Sequence, residues 1–236
     1  MTTGFYTAAA GAIGQQQAVD VTANNLSNLS TQGYKADRAS FADLLYTNVK
    51  DEQGDSYLKV GHGTKVSKTD TLYEPGGMNR TGGDQDYALT DARDFFAVRT
   101  ADGTVKYTRN GNFDKAAGGD GNYYLADSEG SFVLDQAGNP IVMTGDGKQA
   151  LKVGVYTFSN LGGLQKAGKS YYTPTGLSGA ASPVQNADVR QGYLEDSAAS
   201  LSNELSDMIV QQRAFEMNAK MVQMTDEVMQ TVNNLR

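Results

Sequence analysis

The chain has no cysteine and a single histidine, His62, among its 236 residues. Without cysteine there is no disulfide scaffold, no thiolate metal site and no thiol nucleophile, and folding does not depend on compartment redox state. With one histidine, a histidine metal cluster would need carboxylates for its other ligands. A Ser-His-Asp triad could use only His62, which no nucleophile-elbow sequence accompanies. Basic charge is also short. Twenty Lys and Arg stand against 27 Asp and Glu, a formal charge of −7, and no local basic cluster reverses it. Nucleic-acid binding needs a basic face, so no nucleic-acid partner is expected. No stretch approaches the ~20 apolar residues of a membrane span, so no membrane insertion is expected. The opening Met1–Tyr6 lacks Lys and Arg, and Ala8–Gly14 runs straight into Gln15-Gln16-Gln17. No cleaved secretory signal is expected, which leaves the cytoplasm or an export route that reads none.

What is present divides by periodicity. Phe5, Ala8, Ala12, Gln15, Val19, Thr22, Leu26 and Leu29 recur in steps of three and four, which predicts a helix over residues 3–30 with coiled-coil character. Before Tyr34 the only charged side chain is Asp20, so much of this helix is expected to be covered in the working state. Gly4, Gly11 and Gly14 weaken it in isolation by about 1 kcal/mol each, and it is expected to order only on a partner. Leu201, Leu205, Met208, Gln212, Phe215, Ala219, Val222, Asp226 and Met229 step by four and three. Pro and Gly are absent from Tyr193 onward, which predicts a helix of about 40 residues from roughly 190 to 235. Neither end can bury its stripe alone, so the termini are expected to meet and to carry a partner-binding surface.

Between the ends lie short strand-like runs at Tyr87–Leu89, Phe95–Thr100, Val105–Thr108, Tyr123–Leu125, Phe132–Leu134 and Leu151–Phe158. Turn signals separate them: Pro75-Gly76-Gly77, Asp102-Gly103, Asn110-Gly111, Gly118–Gly121, Ala137–Pro140 and Gly145-Asp146-Gly147. Asp102-Gly103 between two aromatic-containing runs is the clearest hairpin. The spacing predicts an antiparallel β-domain.

Gly163-Leu164-Gln165-Lys166-Ala167-Gly168-Lys169-Ser170 matches the P-loop pattern letter for letter. That pattern holds phosphate only when a helix leads out of it, and Tyr171-Tyr172-Thr173-Pro174-Thr175-Gly176 makes a poor first helical turn. A surface hairpin or loop is expected, with nucleotide binding the remote alternative. Gly61-His62-Gly63-Thr64-Lys65 is looser still, Gly118–Asn122 occurs once where stacked calcium repeats are needed, and Asp84 and Asp86 lack EF-hand spacing. No catalytic site, metal site or cofactor is expected.

Four segments carry a family resemblance. Ala23-Asn24-Asn25-Leu26-Ser27-Asn28-Leu29-Ser30-Thr31-Gln32-Gly33-Tyr34-Lys35 closely resembles the N-terminal signature of the bacterial flagellar rod and hook family, A-N-N-L-A-N-x-x-T-x-G-[FY]-K. Physically, Asn and Ser end the helix, Gly33 permits a sharp exit, and an aromatic docks as the chain becomes extended. Gln191-Gly192-Tyr193-Leu194-Glu195-Asp196-Ser197 resembles the family's Q-G-x-L-E-x-S, and Gln212–Lys220 its Q-R-A-[FY]-E-x-N-x-K. Tyr107-Thr108-Arg109-Asn110-Gly111-Asn112-Phe113 looks like its Y-T-R-[DN]-G-x-F hairpin. One departure stands out. Ala92-Arg93-Asp94 precedes Phe95-Phe96 where the family commonly has Gly-x-Gly, so that turn must be built without glycine.

The resemblance implies an α+β fold in which N- and C-terminal helices pair as a coiled-coil-like core around an inserted antiparallel β-rich domain. The implied boundaries are 1–35 with 188–236 for the core, 36–65 for a connecting segment and 66–187 for the outer domain. It implies a structural, non-enzymatic axial subunit of the flagellar basal body. The partners would be further copies in a helical filament, other rod and hook proteins, and the type III export apparatus. The chain is short for a hook protein, and Phe41–Tyr46 favours the distal over the proximal rod; a hook or hook-associated protein is the alternative. The expected self-assembly surface follows. Leu26, Leu29, Leu201, Leu205, Met208, Phe215, Val222 and Met229 form an apolar seam, joined by Phe5 and Val19. Gln15, Gln16, Gln17, Asn24 and Asn25 offer polar surface toward a lumen or a neighbouring helix. Gly33, Tyr34, Gln212, Arg213 and Glu216 set helix ends and register.

Overall fold

The structure is a computed structural model describing residues 2–50, 57–119, 121–143 and 152–235. The Gly145-Asp146-Gly147 turn, Leu151 and Asp120 lie outside the described residues. The chain forms two compact units. One comprises Met1–Ser27, Asp37–Asp70 and Leu201–Arg236; the other comprises Asn28–Ala36 and Thr71–Ser200. The fold is α+β with a helix near each terminus and an antiparallel β-rich body, as expected.

In the first unit, helix α1 spans Thr2–Ser27 and helix α2 spans Leu201–Asn234. They lie side by side in opposite directions: Asn25 meets Glu204, Thr22 meets Gln211, and Gly11 faces Asn218. Two of the glycines that weaken α1 in isolation have a packing reason. A Cβ on Gly11 would stand 3.0 Å from the Asn218 Nδ2, and one on Gly14 would stand 3.3 Å from the Phe41 ring. The unit also holds two strand pairs that periodicity did not predict. Asp37–Asp43 pairs with Thr64–Thr71, and Tyr46–Lys50 pairs with Tyr57–Gly61. Their side chains are mostly polar, and none of Asp37–Asp43 or Thr64–Thr71 is fully buried.

The second unit is built on the Phe95-Phe96 run. Strand Asp94–Arg99 lies within an antiparallel sheet and is buried along nearly its whole length. Period-two alternation sends its side chains to opposite faces. Phe96 and Val98 join Leu89, Phe113, Leu125, Val133 and Val155 in one apolar cluster. Phe95 and Ala97 join Tyr107, Leu134, Phe158 and Tyr172 in another. The predicted hairpin forms: Arg99 pairs with Val105, and the Gly103 N–H donates to the Thr100 carbonyl across a turn with φ +79°. The turn before Phe95 closes without glycine because the Asp91 Oδ1 accepts the Arg93 N–H at 2.9 Å, a side chain doing the work of a backbone turn.

The second helix is shorter than expected. Residues 190–200 are not helical: Val189–Gln191 pairs with Tyr87–Leu89, and Tyr193–Glu195 pairs with Met78–Arg80. Gly192 sits between them at φ +77°, a conformation no helix contains. Leu194 and Glu195 are buried, so tertiary packing overrides the local helical pattern.

Candidate functional site

Two constellations tie together segments far apart in sequence, one in each unit. In the β-rich unit the chain leaves and re-enters side by side. The Gly33 N–H donates to the Glu195 carbonyl at 2.8 Å, and the Ala198 N–H donates to the Tyr34 carbonyl at 3.0 Å. Beneath these bonds lies a buried ionic knot. The Lys35 Nζ donates to the Glu195 Oε1 at 2.7 Å and to the Glu74 carbonyl at 2.6 Å. The Arg109 Nε donates to the Glu195 Oε2 at 2.9 Å, and its remaining nitrogens donate to the carbonyls of Asp91, Asp94 and Leu89. The Gly76 N–H completes the carboxylate's shell at 2.9 Å. Lys35 and Arg109 are wholly inaccessible to solvent and Glu195 is nearly so.

The knot holds two cations on one carboxylate. Burial, and then the Arg109 charge, lowers the Lys35 pKa from its ordinary value, while Glu195 pulls it back up. Burial also raises the Asp94 carboxyl, an effect that neighbouring Asp91 reinforces and Arg109 opposes. Gly33 makes the knot possible. It turns at φ +65°, and a Cβ there would lie 2.5 Å from the Arg109 carbonyl carbon. Tyr34 docks as expected, buried, with the Lys166 Nζ 5.0 Å from its ring centroid.

In the helical unit the counterpart is Asn25. Its Nδ2 donates to the Asp37 carbonyl at 2.8 Å and to both Glu204 carboxylate oxygens at 3.2 Å, while its Oδ1 accepts the Asp37 N–H at 2.9 Å. One buried amide thus braces α1, the following strand and the first turn of α2. Burial raises the Glu204 pKa against the opposing effect of this amide. Asn25→Ala strands these partners and is expected to cost about 1–3 kcal/mol, read as a lower urea midpoint by helical circular dichroism.

Of the other expected assembly residues, Phe5, Gln15, Val19, Leu26 and Leu29 are half-buried and Asn24 is exposed. On α2, Met208, Val222 and Met229 are half-buried, whereas Leu201, Leu205, Gln212, Arg213, Phe215 and Glu216 are exposed. The knot residues Lys35, Arg109 and Glu195 were missed as a group. Each lies in one of three of the four family-like segments, and a charged residue inside such a segment was the available signal.

The P-loop-like segment folds as a surface hairpin, as expected. Gln165–Lys166 pairs with Tyr171–Thr173, and no helix follows. Lys169 and Ser170 lie in the turn at positive φ, with the Lys169 Nζ held 2.6–2.7 Å from the Glu129 carboxylate. Among the described residues, no group of three or more His, Cys, Asp and Glu could hold a metal ion, and no helix is long and apolar enough to cross a membrane.

Comparison with known proteins converges on the same segments. Residues 5–35 match the family described as flagella basal body rod protein. Residues 190–235 match the family described as flagellar basal body rod FlgEFG protein C-terminal. The chain is 34% identical over 264 aligned positions to the flagellar basal-body rod protein FlgG of Borreliella burgdorferi, covering 98% of each chain. It is 30% identical to the FlgG of Bacillus subtilis, again over 98% of each, and 31% identical to that of Agrobacterium fabrum over 96% of each. With both ends matching family models and nearly the full length aligned at 34% identity, the chain belongs to the flagellar basal-body rod protein family.

Proposed function

We propose that this chain is a structural subunit of the flagellar basal-body rod, stacking head-to-tail with further copies into a helical tube that transmits torque. A heterologous contact that does not close generates a filament from one pair of surfaces. The single observation that carries the reading is a long helix near each terminus, one of them almost uncharged, in a chain 34% identical to a rod protein over 98% of its length. In this reading α1 and α2 pair in a coiled-coil-like manner. Residues 1–35 and 188–236 form the assembling core, 36–65 connects, and 66–187 forms the outer body. Phe5, Val19, Leu26, Leu29, Met208, Phe215, Val222 and Met229 supply the apolar seam. Gln15, Asn24, Asn25, Gln212, Arg213 and Glu216 set polar register, and Gly33 and Tyr34 fix the helix exit. The partners are further copies, other rod and hook subunits, and an export apparatus of type III that requires no cleaved signal. The subunit belongs to the distal part of the rod, and it uses no cofactor and catalyses no reaction.

Limited proteolysis tests the assembly claim. Dilute monomer should be trimmed within residues 1–30, and assembled protein should be protected there. Phe215→Asp should abolish assembly while leaving the strand signal in circular dichroism unchanged. Equal protection of the ends before and after assembly, or loss of strand signal in Phe215→Asp, would contradict it.

A further inference from the structure

Strand Asp94–Arg99 begins on a carboxylate without a partner. Asp94 is 6% exposed, and among the described residues its side chain makes no hydrogen bond or ion pair. Its main-chain carbonyl accepts from Arg109, but that guanidinium is fully engaged with Glu195 and with the carbonyls of Asp91, Asp94 and Leu89. Burial raises the Asp94 pKa, and the neighbouring Asp91 charge adds to the effect. Buried anions are costly and are normally paired. Asp94 also stands where the rod and hook family commonly has the second glycine of Gly-x-Gly, so the resemblance gives it no role.

Asp94 lines a cavity of about 730 Å³. That is within the range of roughly 300–1,000 Å³ found for small-molecule sites. Asp91 and Asp188 line it too and are exposed, so one carboxylate of the cavity is buried and two are open to solvent. Ala92, Val184 and Ala187 give the same wall apolar surface. The one cation of the lining, Arg93, is exposed and forms no ion pair with the three carboxylates. The three do not form a group that could hold a metal ion. We propose that this cavity binds an organic cation, a primary ammonium on an aliphatic stem, with Asp94 as its anchor. The ammonium brings three N–H donors to a carboxylate that has none, which makes a strong charge-assisted bond. The stem lies along the apolar wall. Asp91 and Asp188 draw the cation in through their field. Free aliphatic diamines and the lysine side chains of another protein share this chemistry.

Calorimetric titration of the purified full chain with 1,4-diaminobutane and with N-acetyl-lysine amide tests the proposal. At least one should bind, and Asp94→Asn and Asp94→Gly should each weaken that binding by about tenfold or more. Butane-1,4-diol, a four-carbon stem without charge, should not bind. Both variants should keep the near-ultraviolet circular dichroism of the parent, so that lost binding is not lost fold. Saturating amine should raise the urea midpoint of the parent and leave that of Asp94→Asn unchanged. Tighter binding of the diamine would mark a free amine as the source of the cation. Tighter binding of the lysine derivative would mark a side chain of another protein. Binding of neither amine, binding that survives both substitutions, or an equal midpoint shift in Asp94→Asn would overturn the proposal and leave the rod reading standing.

Discussion

Replacing Glu195 by glutamine is expected to destabilise the unit of residues 28–36 and 71–200 by about 3–5 kcal/mol. Glutamine preserves the shape, but it leaves Lys35 and Arg109 as two fully buried cations with no carboxylate in direct contact among the described residues, only the more distant charges of Glu74 and Asp94. Removing one partner of a buried ion pair costs far more than the pair itself contributes, because the remaining charge keeps its desolvation penalty. The complementary substitution should behave differently. Lys35→Met removes the cation that burial and Arg109 already disfavour, and leaves the Arg109–Glu195 pair intact. Its cost should be about 1–3 kcal/mol, below that of the glutamine substitution and chiefly from the Glu74 carbonyl that loses a donor. Urea unfolding followed by near-ultraviolet circular dichroism would show the asymmetry. The same linkage has a sign in pH. The folded state depresses the Lys35 pKa, so the unfolded chain binds the extra proton between the two values. This group's contribution therefore makes stability rise with pH up to the ordinary lysine range and level off above it.

Gly33→Ala should cost about 3 kcal/mol or more, from two sources. The left-handed backbone there disfavours any Cβ by about 1–2 kcal/mol. The added carbon would also press on the Arg109 main chain at 2.5 Å, where neither strand of the contact is a flexible side chain. The predicted consequence is displacement of Arg109 and opening of the knot. Hydrogen exchange should report it as faster exchange at the Gly76 amide, which Glu195 holds in the parent. Unchanged exchange there, with only a small loss of stability, would mean the chain relaxes around position 33 without disturbing the knot.

What the sequence disclosed follows from the range of the interaction involved. The two helices were legible because steps of three and four persist for many turns, and the Asp102-Gly103 hairpin because its turn chemistry is local. The end of α1 at Ser27 was legible to within a few residues through Asn and Ser. Residues 190–200 were misread because they carry a helix-compatible pattern and are held as strand by partners more than 100 residues away. The strands Asp37–Asp43 and Thr64–Thr71 were invisible because none of their residues is fully buried, so no apolar alternation marks them. The knot joins positions 35, 109 and 195, and no periodicity encodes a contact across 160 residues. Resemblance to a known family placed all three in motifs, and only the packed structure brought them onto one carboxylate.

A chain that builds the rod must be found there in isolated basal bodies. Electron microscopy of basal bodies isolated from cells carrying a labelled copy tests it most directly. Label should be confined to the rod, with none along the hook. Label on the hook, or protein recovered only from the soluble fraction of cells with complete basal bodies, would contradict it.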